Sequence, residues 1–326
     1  MTRWALLFGQ TALLVLLGPL VTGVIQRLKA RLQCRRGAGI LQPYRDLAKL
    51  FKKGTVQADS ASPIFRAVPA LVLAATVTAA ALVPVLIATH PALREAAHVS
   101  GGAAPSVPLG DAILLLAFLS LARFLTATGA LDAGGAFGGM GASREMTIGP
   151  LVEPVMMLVV FSVTIRAGTT DLGAIAAWRS LEPGWFGAPD LLALFAMLVL
   201  LLAEAGRIPV DNPDTHLELT MLHEGMLLEH SGPGLGCLVL ATHTKQIVVC
   251  AMAQALFVPA GIARTAAPGP LALAVAFGAF VAKTTVLCGF MAIVESSYAK
   301  LRFFRLPQFL GIGLLSAFLA LALRIL

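Results

Sequence analysis

The sequence predicts an all-α fold: a polytopic membrane protein of about eight transmembrane helices with one short amphipathic helix on the cytoplasmic side. Three observations predict it. Of 326 residues, 58% are hydrophobic and only 13% charged, with a mean hydropathy of +0.85. A soluble domain carries roughly 25% charged residues, so this chain cannot clothe a water-facing surface. Apolar runs long enough to cross a bilayer recur from end to end. The basic residues are segregated between alternate connections. No internal repeat or linker divides the chain, so residues 1–326 read as a single integral membrane domain.

The first run, Trp4 to Ile25, has the length of a membrane helix. Its positive charges follow it and no small-x-small site closes it, so it is not a signal peptide. Further runs cover 64–89, 109–130, 147–166, 188–204, 233–258, 269–293 and 307–325. The Gly/Pro-rich stretches Gly101–Pro108 and Gly134–Gly141 fall between runs and read as loops. Cys34, Cys237, Cys250 and Cys288 never approach CxxC spacing, so they read as buried small hydrophobes.

Between the first two runs, Leu41 to Val56 places Leu47, Leu50 and Phe51 at helical spacing among Arg45, Asp46, Lys49, Lys52 and Lys53. That pattern suits a surface helix, either a plain interfacial anchor or a docking face. Fifteen of the 24 basic residues lie in this segment and in the other connections on its side, against six on the opposite side. Basic residues stay cytoplasmic. Both termini are therefore expected outside, in a multi-pass protein of the bacterial inner membrane. The net charge of +7 is then a topology signal, part of which can meet anionic lipid, and it calls for no nucleic-acid partner.

The stretch Ala203–Gly232, AEAGRIPVDNPDTHLELTMLHEGMLLEHSG, holds six of the 17 acidic residues: Glu204, Asp211, Asp214, Glu218, Glu224 and Glu229. Carboxylates at membrane depth are costly and usually line a hydrated path or pair with a base. Glu204 and Arg207 are three residues apart, so on a helix they share a face and can pair. Asn212 before Pro213 is a good helix start. A helix from there places His216, His223 and His230 close to one face. A zinc site is not indicated, because Leu227 stands where HExxH needs its second histidine. The stretch reads as a solvated loop or as a proton-conducting or coupling site. Glu153, Arg123, Lys245 (with His243 and Gln246) and Lys283 fall inside apolar runs. Each alone suits a structural pair or a snorkelling chain; together they suggest a polar path.

Three stretches carry a resemblance: GILQPYRDLAKLFKK (Gly39–Lys53), PIFRAVPAL (Pro63–Leu71) and AEAGRIPVDNPDTHLEL (Ala203–Leu219). They resemble the heel subunit of respiratory complex I. Four features depart from that pattern. CRRGAG replaces the Arg-x-Gly-Pro-Asn-type approach to the first motif, and His216 replaces an acid. Glu218 and Glu229 stand about three residues further apart. MGASREM (Met140–Met146) and ESSYAKLRFFRLP (Glu295–Pro307) are similar instead to the equivalent subunit of group 4 membrane-bound hydrogenases, of the formate hydrogenlyase and hydrogenase-4 type.

The resemblance implies an eight-helix, non-catalytic subunit of an oxidoreductase complex. It carries no metal or cofactor itself; iron–sulfur clusters and a nickel–iron centre belong to peripheral partner subunits. It implies a coupling path through Glu204, Arg207, Asp211, Asp214, Glu218, Glu224, Glu229, Glu153 and Lys245 toward antiporter-like membrane partners. It implies docking of the peripheral arm on Arg35, Arg36, Gln42, Asp46, Lys49, Arg144 and Glu145. Two other readings stay open. One is a quinone-chamber subunit of NADH:quinone oxidoreductase, and the other an independent transporter, although no repeat marks one.

Overall fold

Each long apolar run forms one helix. The computed structural model describes residues 2–57, 61–88, 110–180, 187–211, 223–263, 269–299, 301 and 303–325. The helices are α1 (Thr2–Leu32), α2 (Gln42–Lys52), α3 (Pro63–Leu82), α4 (Ala112–Asp132), α5 (Ala136–Ala167), α6 (Leu172–Arg179), α7 (Ala188–Glu204), α8 (His223–Leu227), α9 (Gly232–Phe257), α10 (Pro270–Ser297) and α11 (Leu306–Ile325). Seven are long and apolar enough to cross a membrane. The eighth expected span, α7, has 17 residues, about 26 Å of helix. The all-α membrane architecture and the amphipathic α2 match the sequence expectation.

Local chemistry sets the boundaries. Ser62 caps α3 by accepting from the Ile64 amide at 3.1 Å, ahead of Pro63. Asp111 caps α4 and Asp171 caps α6, accepting from Ile113 and Gly173 at 2.8 and 2.9 Å. α5 ends on Gly168 at φ +64°, the left-handed conformation that glycine adopts without strain.

The Gly134–Gly141 stretch corrects its reading as a loop, since α5 begins at Ala136. The glycines serve a close approach instead. A Cβ on Gly135 or Gly138 would meet the Glu229 carboxylate at 2.0 and 2.7 Å. With no side chains in the way, Glu229 accepts from the Gly138 amide at 2.9 Å and satisfies an otherwise open donor of the first turn. The short α6 had no counterpart in the sequence reading.

Helix α9 is the centre of the bundle, packed on α1, α2, α3, α6, α7 and α10. Of its most apolar window, 61% is buried, against 22% for α10, so α10 has most of its surface free to face lipid or partners. α9 and α10 run antiparallel with Gln254 donating to Thr284 at 2.9 Å and Lys283 to the Val258 carbonyl at 2.9 Å. α11 lies against α5 and α7.

The two ends of the bundle are chemically distinct. At one end Gln10 accepts from the Val85 and Leu86 amides at 3.1 Å, and Arg324 of α11 reaches Asp190 at the start of α7. The start of α1 and the end of α11 therefore lie at that end. At the other, α2 packs beside the start of α9, where a Cβ on Gly236 would meet the Phe51 ring at 3.3 Å. Pro43 and Leu47 face inward, whereas Arg45, Asp46, Lys49 and Lys52 are exposed.

Candidate functional site

The site begins with a guanidinium inside the bundle. Arg123, two turns before the end of α4, has a side chain only 6% exposed. It binds the Glu204 carboxylate and lies 3.4 Å from both Glu145 and Glu153 of α5. It also donates to the Gly149 carbonyl at 3.3 Å. Gly149 permits this, since a Cβ there would stand 3.1 Å from Arg123 Cδ. On the far side, Lys245 of α9 reaches Glu204 Oε2 at 2.9 Å. The last residue of α7 is thus held between cations from two other helices, the arrangement a carboxylate needs at that depth.

A second cluster lies beside it. Arg207 is 3.3 Å from Glu295 at the end of α10 and 3.4 Å from Gln246. Lys29 of α1 is 3.4 Å from the other Glu295 oxygen, and Gln246 accepts from Thr22 at 3.1 Å. Lys245 and Gln246 are consecutive on α9, so one helix joins the two clusters. The expected pairing of Glu204 with Arg207 is therefore wrong. α7 ends at Glu204, and the chain turns through Ala205 and Gly206 at φ +58°. That turn swings Arg207 off the face Glu204 occupies and toward α10.

Two small adjoining cavities open on the first cluster, each with room for only a few water molecules. Both are lined by Arg123, Glu145, His223, Thr242 and Lys245. The larger adds Glu204 and Asp211, and the smaller adds Val72, Met226, Leu227 and Leu238, so it is the more apolar. Asp211 is buried and accepts from the His223 amide at 3.2 Å. Burial, followed by the charge of Lys245, holds the His223 imidazole below its usual range, against the pull of Glu145, Asp211 and Glu204.

The remaining expected residues divide. Asp214 and Glu218 lie outside the described residues, as do His216 and the Asn212–Pro213 helix start. Glu224 is half-buried on α8. Glu229 is not in either cluster; it is the N-terminal cap of α5. Glu145, expected on a docking face, lies in the cavity wall instead, because α5 extends 11 residues further toward that end than the sequence suggested. Arg144 is half-buried beside it. Arg35, Arg36, Asp46 and Lys49 are exposed, with Gln42 donating to Asp46 at 2.9 Å.

Other expectations are corrected by the helix breaks. His223 and His230 do not share one helix face, since α8 ends at Leu227 and α9 starts at Gly232. His230 stacks on Phe65, with ring centroids 4.1 Å apart, and burial lowers its pKa to about 4. Cys34 is exposed rather than buried. Lys283 sits on carbonyls at the end of α9, away from the clusters. Among the described residues no three His, Cys, Asp or Glu side chains converge as a metal site would need.

Sequence reasoning missed Glu295, although it is the one acid after Glu229 in the whole chain. It also missed Asp190, which sits one turn inside an apolar helix. Asp190 binds Arg179 of α6 and Arg324 of α11, tying the opposite end of α7.

A helical membrane bundle with ion pairs buried among its helices defines a class of charge-carrying polytopic proteins. The chain belongs to the NADH dehydrogenase family, whose model matches residues 5–325. It is 34% identical to hydrogenase-4 component C of Escherichia coli (strain K12), over 96% of this chain and 93% of that one. It is 34% identical to formate hydrogenlyase subunit 4 of the same organism, over 95% of each. The H-type membrane subunit of the NADH-quinone oxidoreductase of Rickettsia prowazekii (strain Madrid E) is 27% identical, over 75% of this chain and 69% of that one. One chain of the membrane-bound sulfane sulfur reductase, an archaeal respiratory membrane complex, shares the fold with a TM-score of 0.78 at 19% identity, covering 98% of this chain and 99% of that one. The resemblance read from the motifs holds, including the tilt toward the hydrogenase type.

Proposed function

We propose that this chain is the non-catalytic membrane subunit of a membrane-bound nickel–iron hydrogenase complex of the formate hydrogenlyase and hydrogenase-4 type. It anchors a peripheral redox arm and couples electron transfer to proton or ion movement. The observation that carries this reading is Glu204, buried between Arg123 and Lys245 in the wall of a charged cavity. The identity and near-complete coverage of the two Escherichia coli relatives favour the hydrogenase type over the quinone-chamber alternative, whose Rickettsia relative matches at lower identity over less of its length.

On this reading the end bearing α2 faces the cytoplasm and both termini face the periplasm. The iron–sulfur clusters and the nickel–iron centre belong to the docked arm, and antiporter-like subunits continue the path in the membrane. Exposed Arg35, Arg36, Asp46 and Lys49 supply docking charge. A change of charge at the arm shifts the balance among Glu145, Arg123, Glu204 and Lys245, because in that low-dielectric setting each charge depends strongly on its neighbours.

The test is Glu204→Gln, which keeps size and hydrogen bonding but removes the charge. In vesicles bearing the whole complex, assembly and metal content stay at wild-type levels while proton movement per hydrogen turned over falls sharply. Undiminished movement returns Glu204 to a structural role.

A further inference from the structure

His223 belongs to none of the residues assigned above to the path or to docking, yet it lies where the two cavities meet. Its backbone N–H is tied to Asp211 Oδ2, and its ring Nε2 is 3.1 Å from Thr242 Oγ1. The Thr242 hydroxyl donates to the Leu238 carbonyl one turn back on α9, at 3.0 Å. A hydroxyl has one hydrogen, so toward the ring this oxygen accepts. Nε2 therefore carries the hydrogen of the neutral imidazole, and Nδ1 keeps its lone pair.

Charged groups face this ring from every side: Lys245 on α9, Glu145 on α5, Glu204 at the end of α7, Asp211 just beyond it, and Arg123 on α4. A purely structural histidine needs only the Thr242 bond. It has no need of a wall shared with two cavities and three carboxylates.

We propose that His223 is a proton relay between the two cavities, with Nδ1 the atom that gains and loses the proton. Resting on the coupling role proposed above, it adds the residue that carries the proton between compartments. In the first step the Nδ1 lone pair takes a proton from a hydronium ion in the smaller cavity, leaving water and forming the imidazolium. In the second, Nδ1 passes that proton to the carboxylate of Asp211, which lines only the larger cavity, and the neutral ring is restored. Nε2–H stays on Thr242 throughout, so the ring does not have to rotate. Burial first, and then the charge of Lys245, lowers the ring's proton affinity, and the second contribution makes the relay responsive to the Glu204–Lys245 pair.

The test uses the whole complex in sealed vesicles, with protons moved per turnover as the readout. His223→Gln can still donate to Thr242 but cannot accept and release a proton near neutrality; its ratio is expected to fall at least about fivefold. His223→Ala is expected to fall equally and to recover with added imidazole, which titrates near neutral pH. Pyrazole, of the same size but barely basic, is expected to leave it low; wild-type vesicles with each additive correct for buffering. A wild-type ratio in His223→Gln overturns the relay, as does equal rescue by pyrazole, which marks a packing role. Glu204→Gln in parallel separates the two ideas. Loss there with none at His223 sinks the relay alone, and loss at neither sinks the coupling role with it.

Discussion

Arg123→Gln removes a cation on which three carboxylates converge. In the wild type, Glu145, Glu153 and Glu204 are balanced by Arg123 and Lys245. Without Arg123, one ammonium faces three acids. Breaking a buried pair by deleting one partner costs about 3–5 kcal/mol. Glu204, whose side chain is 1% exposed, accounts for most of that. Glu153 is 46% exposed, so solvent screening limits its share to about 0–1 kcal/mol. The expected loss of stability is thus about 3–5 kcal/mol. Adding Glu204→Gln removes the stranded charge, and the double variant is expected to recover at least about 2 kcal/mol of the summed single losses. Unfolding in mixed micelles titrated with SDS, followed by tryptophan fluorescence, reads both numbers. A loss below about 1 kcal/mol, or additivity within about 0.5 kcal/mol, refutes the picture of Arg123 as the cluster's counter-charge.

Three further outcomes follow from the same contacts. Gly149→Ala places a methyl 3.1 Å from the Arg123 side chain and is expected to cost about 1–3 kcal/mol in the same titration, with Gly149→Val worse. Glu229→Ala uncaps α5 and is expected to lose about 1 kcal/mol, most of it retained in Glu229→Gln. His230 is neutral in the folded chain down to about pH 4, whereas unfolded it binds a proton below roughly 6.5. Its contribution is therefore complete above pH 6.5 and is lost as pH falls from there toward 4. His230→Phe keeps the stack on Phe65 and is expected to flatten the stability profile across that window.

The spans were legible because bilayer thickness fixes a length and an apolar character that no other demand on the chain imitates. Arg123 and Lys245 were legible as charges inside apolar runs. Their common partner was not, since Glu204 lies 81 residues from Arg123 and only the packing of α5 against both α4 and α7 brings them together. The Glu204–Arg207 pairing failed for a local reason: spacing assumes a continuous helix, and a turn at Gly206 breaks it. The glycines at 134–141 misled because glycine marks loops and close approaches alike. Only the distant Glu229 carboxylate decides between the two.

The bond between Asp211 and the His223 amide has a consequence for the mechanics of the cavity wall. Asp211 lies just beyond the turn that follows α7, and His223 is the first residue of α8. One hydrogen bond therefore clamps two backbone segments, 12 residues apart in sequence, into a single piece of wall. A displacement of α8 pulls on the end of α7, so the ring of His223 and the carboxylate of Glu204 are geared together instead of moving separately.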